Sequence, residues 1–181
     1  LKRIPEFLTF LSSLGVSKVR LLPFIPLGKG RALREEMLSK DELWWAVRKK
    51  PEWNAGFKGQ LLLEARYEFL LSPGEQKAIS PCMAGYIQLG VSTNGDFYPC
   101  AYMMDYPIGN INENSIADVW QNSPMLKALR DPGLLKGTCS TCVYRDGCHG
   151  GCRGLAYLLK EDYLCSDPYC PIVAQAEKLQ G

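Results

Sequence analysis

Apolar residues Ile4, Phe7, Leu8, Leu11 and Leu14 recur at helical spacing and Gly15 follows them, so residues 1–14 are predicted as an amphipathic helix with a glycine cap. Residues 16–24 read as a strand that ends near Pro23. A helix, a glycine and a short strand form the kind of unit that tiles α/β barrels and parallel sheets, and any α/β protein fits that unit equally well. Beyond the strand, Pro26-Leu27-Gly28-Lys29-Gly30-Arg31 is predicted as a glycine-rich turn that lets a ligand approach the backbone. Ser39 and Glu42 have the spacing of a capping box ahead of Leu43, Trp44 and Val47, which predicts a second helix ending at Pro51. Residues 61–65, apolar except for Glu64, read as a largely buried strand. Together these are two or three strand-and-helix units, about a third to a half of a (β/α) barrel of ~250 residues.

Near Ser72-Pro73-Gly74 the pattern changes to shorter elements and cysteines, which places a domain boundary at about residue 75 and divides the chain into regions 1–75 and 76–181. In the second region Ile87, Leu89 and Val91 alternate with Gln88, Gly90 and Ser92. Asn94-Gly95 then gives the strongest short hairpin signal, and residues 96–102 return, so a β-hairpin is predicted. Ile116, Val119 and Trp120 mark a short helix; Ser123-Pro124 begins another through Leu129; Asp131-Pro132-Gly133 turns the chain. There is no internal repeat and no low-complexity segment.

Composition narrows the function classes. Apolar residues make up 46% of the 181 and charged residues 22%, as in ordinary folded domains. The net charge is +2 without a run of like charges, which argues against nucleic-acid binding. No apolar stretch approaches the ~18 residues of a membrane span. Residues 1–14 lack the layout of a signal peptide, and the expected location is cytoplasmic. The chain opens at Leu1, so the protein is expected to begin further upstream.

The eight cysteines change the picture most: residues 1–81 contain none. Disulfide-dense scaffolds are usually shorter and core-poor, which argues against four disulfides here. The densest group is Cys139-x2-Cys142-x5-Cys148-x3-Cys152, followed by Cys165 and Cys170. Thiolates are soft anionic ligands, and short loops between them let the chain fold round one metal centre with backbone amides turned inward. Gly147, Gly150, Gly151 and Gly154 among them permit the close backbone approach that such loops need. Cys82 and Cys100 flank the hairpin, and with a two-residue turn Cys100 falls opposite about Leu89; both also fit as buried hydrophobic cysteines. Two structural zinc sites would use the same eight thiolates. His149, the single histidine, reads as a solvated loop residue rather than a ligand.

On these residues the chain resembles the SPASM domain of radical S-adenosylmethionine enzymes. Cys82-x12-Gly95-x4-Cys100, the Cys139-to-Cys152 run, and Cys170 in Asp167-Pro168-Tyr169-Cys170-Pro171 follow the family pattern, and Gly109-Asn110-Ile111 looks like the family too. The resemblance implies two auxiliary [4Fe–4S] clusters, an outer one on Cys139, Cys142, Cys148 and Cys170 and an inner one on Cys82, Cys100 and Cys152. Cys165 completes the inner cluster, or an iron there stays open to substrate. The implied fold class is α/β: the C-terminal part of a partial (β/α) barrel, then a small α+β cysteine-rich domain. Residues 1–81 lack the Cys-x3-Cys-x2-Cys motif of the catalytic cluster, which is expected upstream, so this segment should not cleave S-adenosylmethionine by itself. In the intact enzyme a third [4Fe–4S] cluster would reduce S-adenosylmethionine to a 5′-deoxyadenosyl radical, with the auxiliary clusters moving an electron or gripping substrate. The implied partners are a peptide or a small-molecule cofactor precursor such as a tetrapyrrole, and a reducing donor such as ferredoxin or flavodoxin. The rival reading is a non-enzymatic zinc- or iron–sulfur-binding interaction module.

Overall fold

Ile4, Leu8 and Leu11 fall on one side of the first helix, and they pack there against the first strand in a computed structural model of the chain. The structure describes residues 1–67, 70 and 79–180. The chain divides into two units, Leu1–Ala78 and Ile79–Gly181; the predicted boundary at 72–75 lies outside the described residues.

In the first unit, α1 (Ile4–Ser13) ends ahead of Gly15, whose φ of 77° reverses the chain as a glycine cap does. β1 (Lys18–Leu21) pairs in parallel with β2 (Gln60–Leu63), from Lys18 opposite Gln60 to Leu21 opposite Leu63, and α2 (Lys40–Gly56) lies between them in sequence. Leu8, Val19, Ala46, Trp53, Phe57 and Leu61 form the core. β1 is shorter than the predicted 16–24, because β2 runs out at Leu63 and Pro23 and Pro26 carry no N–H for further pairing. The glycine-rich turn is the start of a 3₁₀ helix, Gly28–Glu36.

The capping box forms as predicted: the Ser39 hydroxyl accepts from the Glu42 N–H at 3.2 Å and the Glu42 carboxylate accepts from the Ser39 N–H at 2.8 Å. The predicted stop at Pro51 does not occur, and α2 continues to Gly56. A proline inside a helix costs about 3 kcal/mol. The added turns carry Trp53 and then Phe57 into the core, and burying side chains of that size returns about 1.5–3 kcal/mol each, enough to offset it.

In the second unit, β3 (Gly90–Val91) and β4 (Phe97–Tyr98) form the hairpin, with Gly90 opposite Tyr98 and Val91 opposite Phe97. The loop is not the two-residue turn predicted. Gly95 N–H donates to Ser92 C=O, Ser92 N–H donates to Asp96 C=O, and Gly95 has φ 87°. This is a three-residue loop closed by a left-handed glycine, which moves the register by one residue and takes Cys100 away from Leu89. The predicted strand also shortens: Tyr86, Ile87 and Gln88 all donate backbone N–H groups to Met83 C=O in a turn, leaving Ile87 72% exposed.

The Gly109-Asn110-Ile111 segment explains why the hairpin holds. Phe97 N–H donates to Gly109 C=O and Ile108 N–H to Phe97 C=O, both at 2.8 Å, so β4 is bonded on both edges and Phe97 is fully buried. Asn110 Nδ2 donates to Asn94 C=O at 3.2 Å and to Asp96 Oδ1 at 2.9 Å. Behind Phe97, α3 (Ile116–Asn122) and α4 (Pro124–Leu129) contribute Val119, Met125, Leu126 and Leu129 to a core that includes Cys82, Ala84 and Met103. Among the described residues no helix is long and apolar enough to cross a membrane.

Asn110→Ala removes both bonds to the hairpin loop and should lower stability by about 2 kcal/mol in urea unfolding, whereas Asn112→Ala, at the exposed end of the same network, should cost little. The Glu42 carboxyl is held below its ordinary 4.5 chiefly by the Ser39 N–H and then the Ser39 hydroxyl. That contribution is complete above the ordinary carboxyl range and is lost as pH falls through the lowered value. Amide protection in the first turn of α2 should therefore fall on acidification, and Ser39→Ala should flatten that dependence.

Candidate metal centre

Four of the cysteines sit on short turns that end in sulfur. Cys139 lies buried in a 3₁₀ turn, Gly137–Thr141, that Cys142 closes. Cys148 ends α5 (Arg145–Cys148), after which His149 takes a left-handed conformation and Gly150 and Gly151 have φ of 76° and 77°. Cys170 immediately precedes α7 (Pro171–Gln180) and packs with Leu135, Cys139 and Val173. Burial pushes the Cys148 thiol up, and Cys139, Asp167 and Cys142 push it further while Gly151 N–H opposes. Burial pushes Cys170 up to about 12, with Asp167 and Cys139 adding to it and the Val173 and Ile172 N–H groups opposing. Cys139 and Cys142 thus act on Cys148, and Cys139 acts on Cys170.

A second set is built outward from the N-terminus of α6 (Arg153–Lys160), where Cys152 and Cys100 lie. Cys152 is its cap, with Sγ accepting from Leu155 N–H at 3.4 Å. Cys100 Sγ lies against the first turn, where a Cβ added at Gly154 would come within 3.3 Å of it and 2.5 Å of Tyr102 Cβ. Cys82 is buried in the same core that Cys100 packs against. Among the described residues, no group of three or more cysteine, histidine or acidic side chains is drawn together closely enough to hold a metal ion.

Cys165 differs from the other seven. Its thiol donates to Asp162 Oδ2 at 3.5 Å, and burial, followed by that bond, pushes it up. Asp162 also accepts from Lys136 Nζ at 2.7 Å.

His149 is not the solvated loop residue predicted: its ring stacks on Tyr86 with centroids 4.1 Å apart and planes 10° apart, and its Nδ1 is buried without a partner. Tyr86 is held in turn near Cys82, whose charge adds to burial in pushing the phenol up.

Two charged residues escaped the sequence reading. Asp167 is 1% exposed; its Oδ2 accepts from Cys152 N–H at 2.7 Å and its Oδ1 from Tyr169 N–H at 2.9 Å, and its C=O accepts from Cys170 N–H. One residue, through its carboxylate to Cys152 and its backbone carbonyl to Cys170, thus links the two sets. Arg153, also 1% exposed, donates to the C=O of Tyr163 at 2.9 Å, of Cys165 at 2.6 Å and of Gly150. The available signal was position, since each stands within three residues of a cysteine in a glycine- or proline-containing loop. Ser166 completes the strap, accepting from Cys139 N–H and donating to Lys136 C=O.

All eight cysteines are free thiols. The sulfurs are buried or half-buried, and three of them face backbone N–H donors, at Cys148, Cys152 and Cys170; this is the donor chemistry that iron–sulfur clusters use, where amide hydrogen bonds to sulfur offset the anionic charge.

The comparisons with known proteins agree with that chemistry. Residues 82–143 match the SPASM family, described as an iron-sulfur cluster-binding domain. The chain is 38% identical over 99 residues to the AdoMet-dependent heme synthase of Methanosarcina barkeri (strain Fusaro / DSM 804), covering 54% of this chain and 27% of that protein. It is 37% identical over 95 residues to the PqqA peptide cyclase of Streptomyces rochei, covering 50% and 26%. It is 26% identical over 175 residues to the mycofactocin maturase MftC of Mycolicibacterium smegmatis, covering 93% and 43%. Residues 82–143 are therefore similar to the SPASM iron–sulfur cluster-binding domain, and the chain is similar over part of its length to the heme synthase, peptide cyclase and maturase named above. It spans about a quarter to a half of the length of the curated relatives it matches.

Gly154→Ala places a methyl group into Tyr102 Cβ, a rigid atom close to the backbone. Alanine gains up to about 1 kcal/mol in helix propensity, but overpacking costs about 1–3 kcal/mol, so the net change in urea unfolding should be destabilising. Serine at the same position should be at least as costly.

Proposed function

We propose that this chain is the C-terminal portion of a radical S-adenosylmethionine maturase and that it binds two auxiliary [4Fe–4S] clusters. In this reading residues 1–75 are the closing part of the barrel and residues 76–181 the auxiliary cluster domain. Cys139, Cys142, Cys148 and Cys170 hold one cluster; Cys82, Cys100 and Cys152 hold the other, with Cys165 as its fourth ligand or an iron left open. The parallel β1–α2–β2 unit supports the barrel assignment, and the two thiol neighbourhoods support the division of ligands.

Clusters bound there would supply one-electron transfer, or an iron that grips substrate, during radical modification of a peptide or of a cofactor precursor such as a tetrapyrrole. The chain's own part is to hold thiolates in register, to turn N–H groups onto sulfur, and to exclude water with the Phe97 core. The catalytic cluster and S-adenosylmethionine belong to the intact cytoplasmic enzyme, which would draw electrons from a ferredoxin- or flavodoxin-type donor; residues 1–81 contain no cysteine for that cluster. The observation that carries the reading is the set of N–H donors at Cys148, Cys152 and Cys170, within loops whose cysteine spacing resembles the family pattern.

Anaerobic reconstitution should give about eight iron and eight sulfide per chain, measured by metal and acid-labile sulfide analysis. Stoichiometric zinc without sulfide would sink the reading in favour of a zinc-bound interaction module.

A further inference from the structure

Among the described residues Arg153 is the largest fully buried side chain. A guanidinium keeps its charge at any pH a protein meets and presents five N–H donors. Three of its contacts are carbonyl oxygens, those of Gly150, Tyr163 and Cys165, while its Nε is buried without a partner. Among the described residues no carboxylate lies within ion-pairing distance of it; the nearby buried Asp167 is turned onto the Cys152 and Tyr169 amides. A buried charge held only by dipoles is costly unless an anion compensates it.

The place of the guanidinium identifies that anion. Arg153 directly follows Cys152, and its head lies under Gly150, in the loop joining Cys148 to Cys152: a Cβ at Gly150 would meet Arg153 Cζ at 2.8 Å and Leu135 Cδ2 at 2.9 Å. Leu135 packs with Cys139 and Cys170. The cation therefore stands beside the loop that joins Cys148 to Cys152, where thiolates carrying iron–sulfur clusters would add negative charge to that of the Asp167 carboxylate. We propose that Arg153 is a built-in counter-cation for the thiolate-held clusters, a positioning residue that raises their reduction potential while its three carbonyl contacts hold the ligand loops.

This rests on the iron–sulfur reading above. The sign follows from electrostatics: reduction adds negative charge, which a nearby cation stabilises, so removing the cation lowers the potential. Arg153→Gln keeps hydrogen-bonding capacity without charge, and Arg153→Lys keeps charge without the planar fork. In anaerobically reconstituted protein, potentiometric titration followed by electron paramagnetic resonance should show at least one cluster of the glutamine variant shifted downward. The expected shift is about tenfold in the oxidised-to-reduced ratio at fixed potential, about 59 mV for a one-electron couple. The lysine variant should stay nearer the parent.

Iron loading retained by lysine and lost by glutamine also supports the proposal. Parental potentials in both variants would overturn it, leaving Arg153 a carbonyl clamp only, as would equal loss of iron from both. A parent protein that takes up no iron fails the cluster reading itself, and this inference with it.

Discussion

The arrangement of the second unit turns on the cost of gathering sulfur anions where water is scarce. Thiols that are buried together resist ionisation, as burial and neighbouring cysteines show at Cys148 and Cys170, and a site of this kind forms only if something offsets the charge. The chain does so with its backbone. Cys152 and Cys170 are each followed at once by a helix start, and Cys148, after His149, by a glycine pair, so Gly151, Leu155, Ile172 and Val173 direct N–H groups at the thiol just before them. The same economy explains the dense glycines, since only residues free to take positive φ can reverse the chain within three positions of a ligand.

Placement of the remaining thiols depends on packing that begins far from them. Phe97 is buried because the 108–111 segment bonds the second edge of β4. That fixes the path through Cys100 into a 3₁₀ turn, Ala101–Met103, which lies against α6. Gly154 then lets Tyr102 and Cys100 approach the helix that Cys152 caps. Asp167 and the residues around it close the other side, joining Cys152, Cys170 and, through Ser166, Cys139.

Much of this was legible in residue order. The ligand candidates follow from cysteine spacing, which is a local property of short loops, and the helix starts at Ser39 and Pro124 follow from capping and proline geometry that act within one turn. What the order of residues could not supply were outcomes decided by remote partners. Pro51 does not end α2, because Trp53 and Phe57 find a core made by β1, β2 and α1. The hairpin takes a three-residue loop because Asn110, sixteen positions beyond Asn94, bonds across it. His149 is stacked rather than solvated because Tyr86 comes to it from another loop. Arg153 and Asp167 look in the sequence like any charged surface residues; their burial exists only once residues 150, 163, 165 and 167 are brought round the start of α6. The sequence by itself determined which thiols are candidates to bind metal. Tertiary structure alone decided which of them are neighbours and which charges stand beside them, because burial and electrostatic partnership are properties of distance in space.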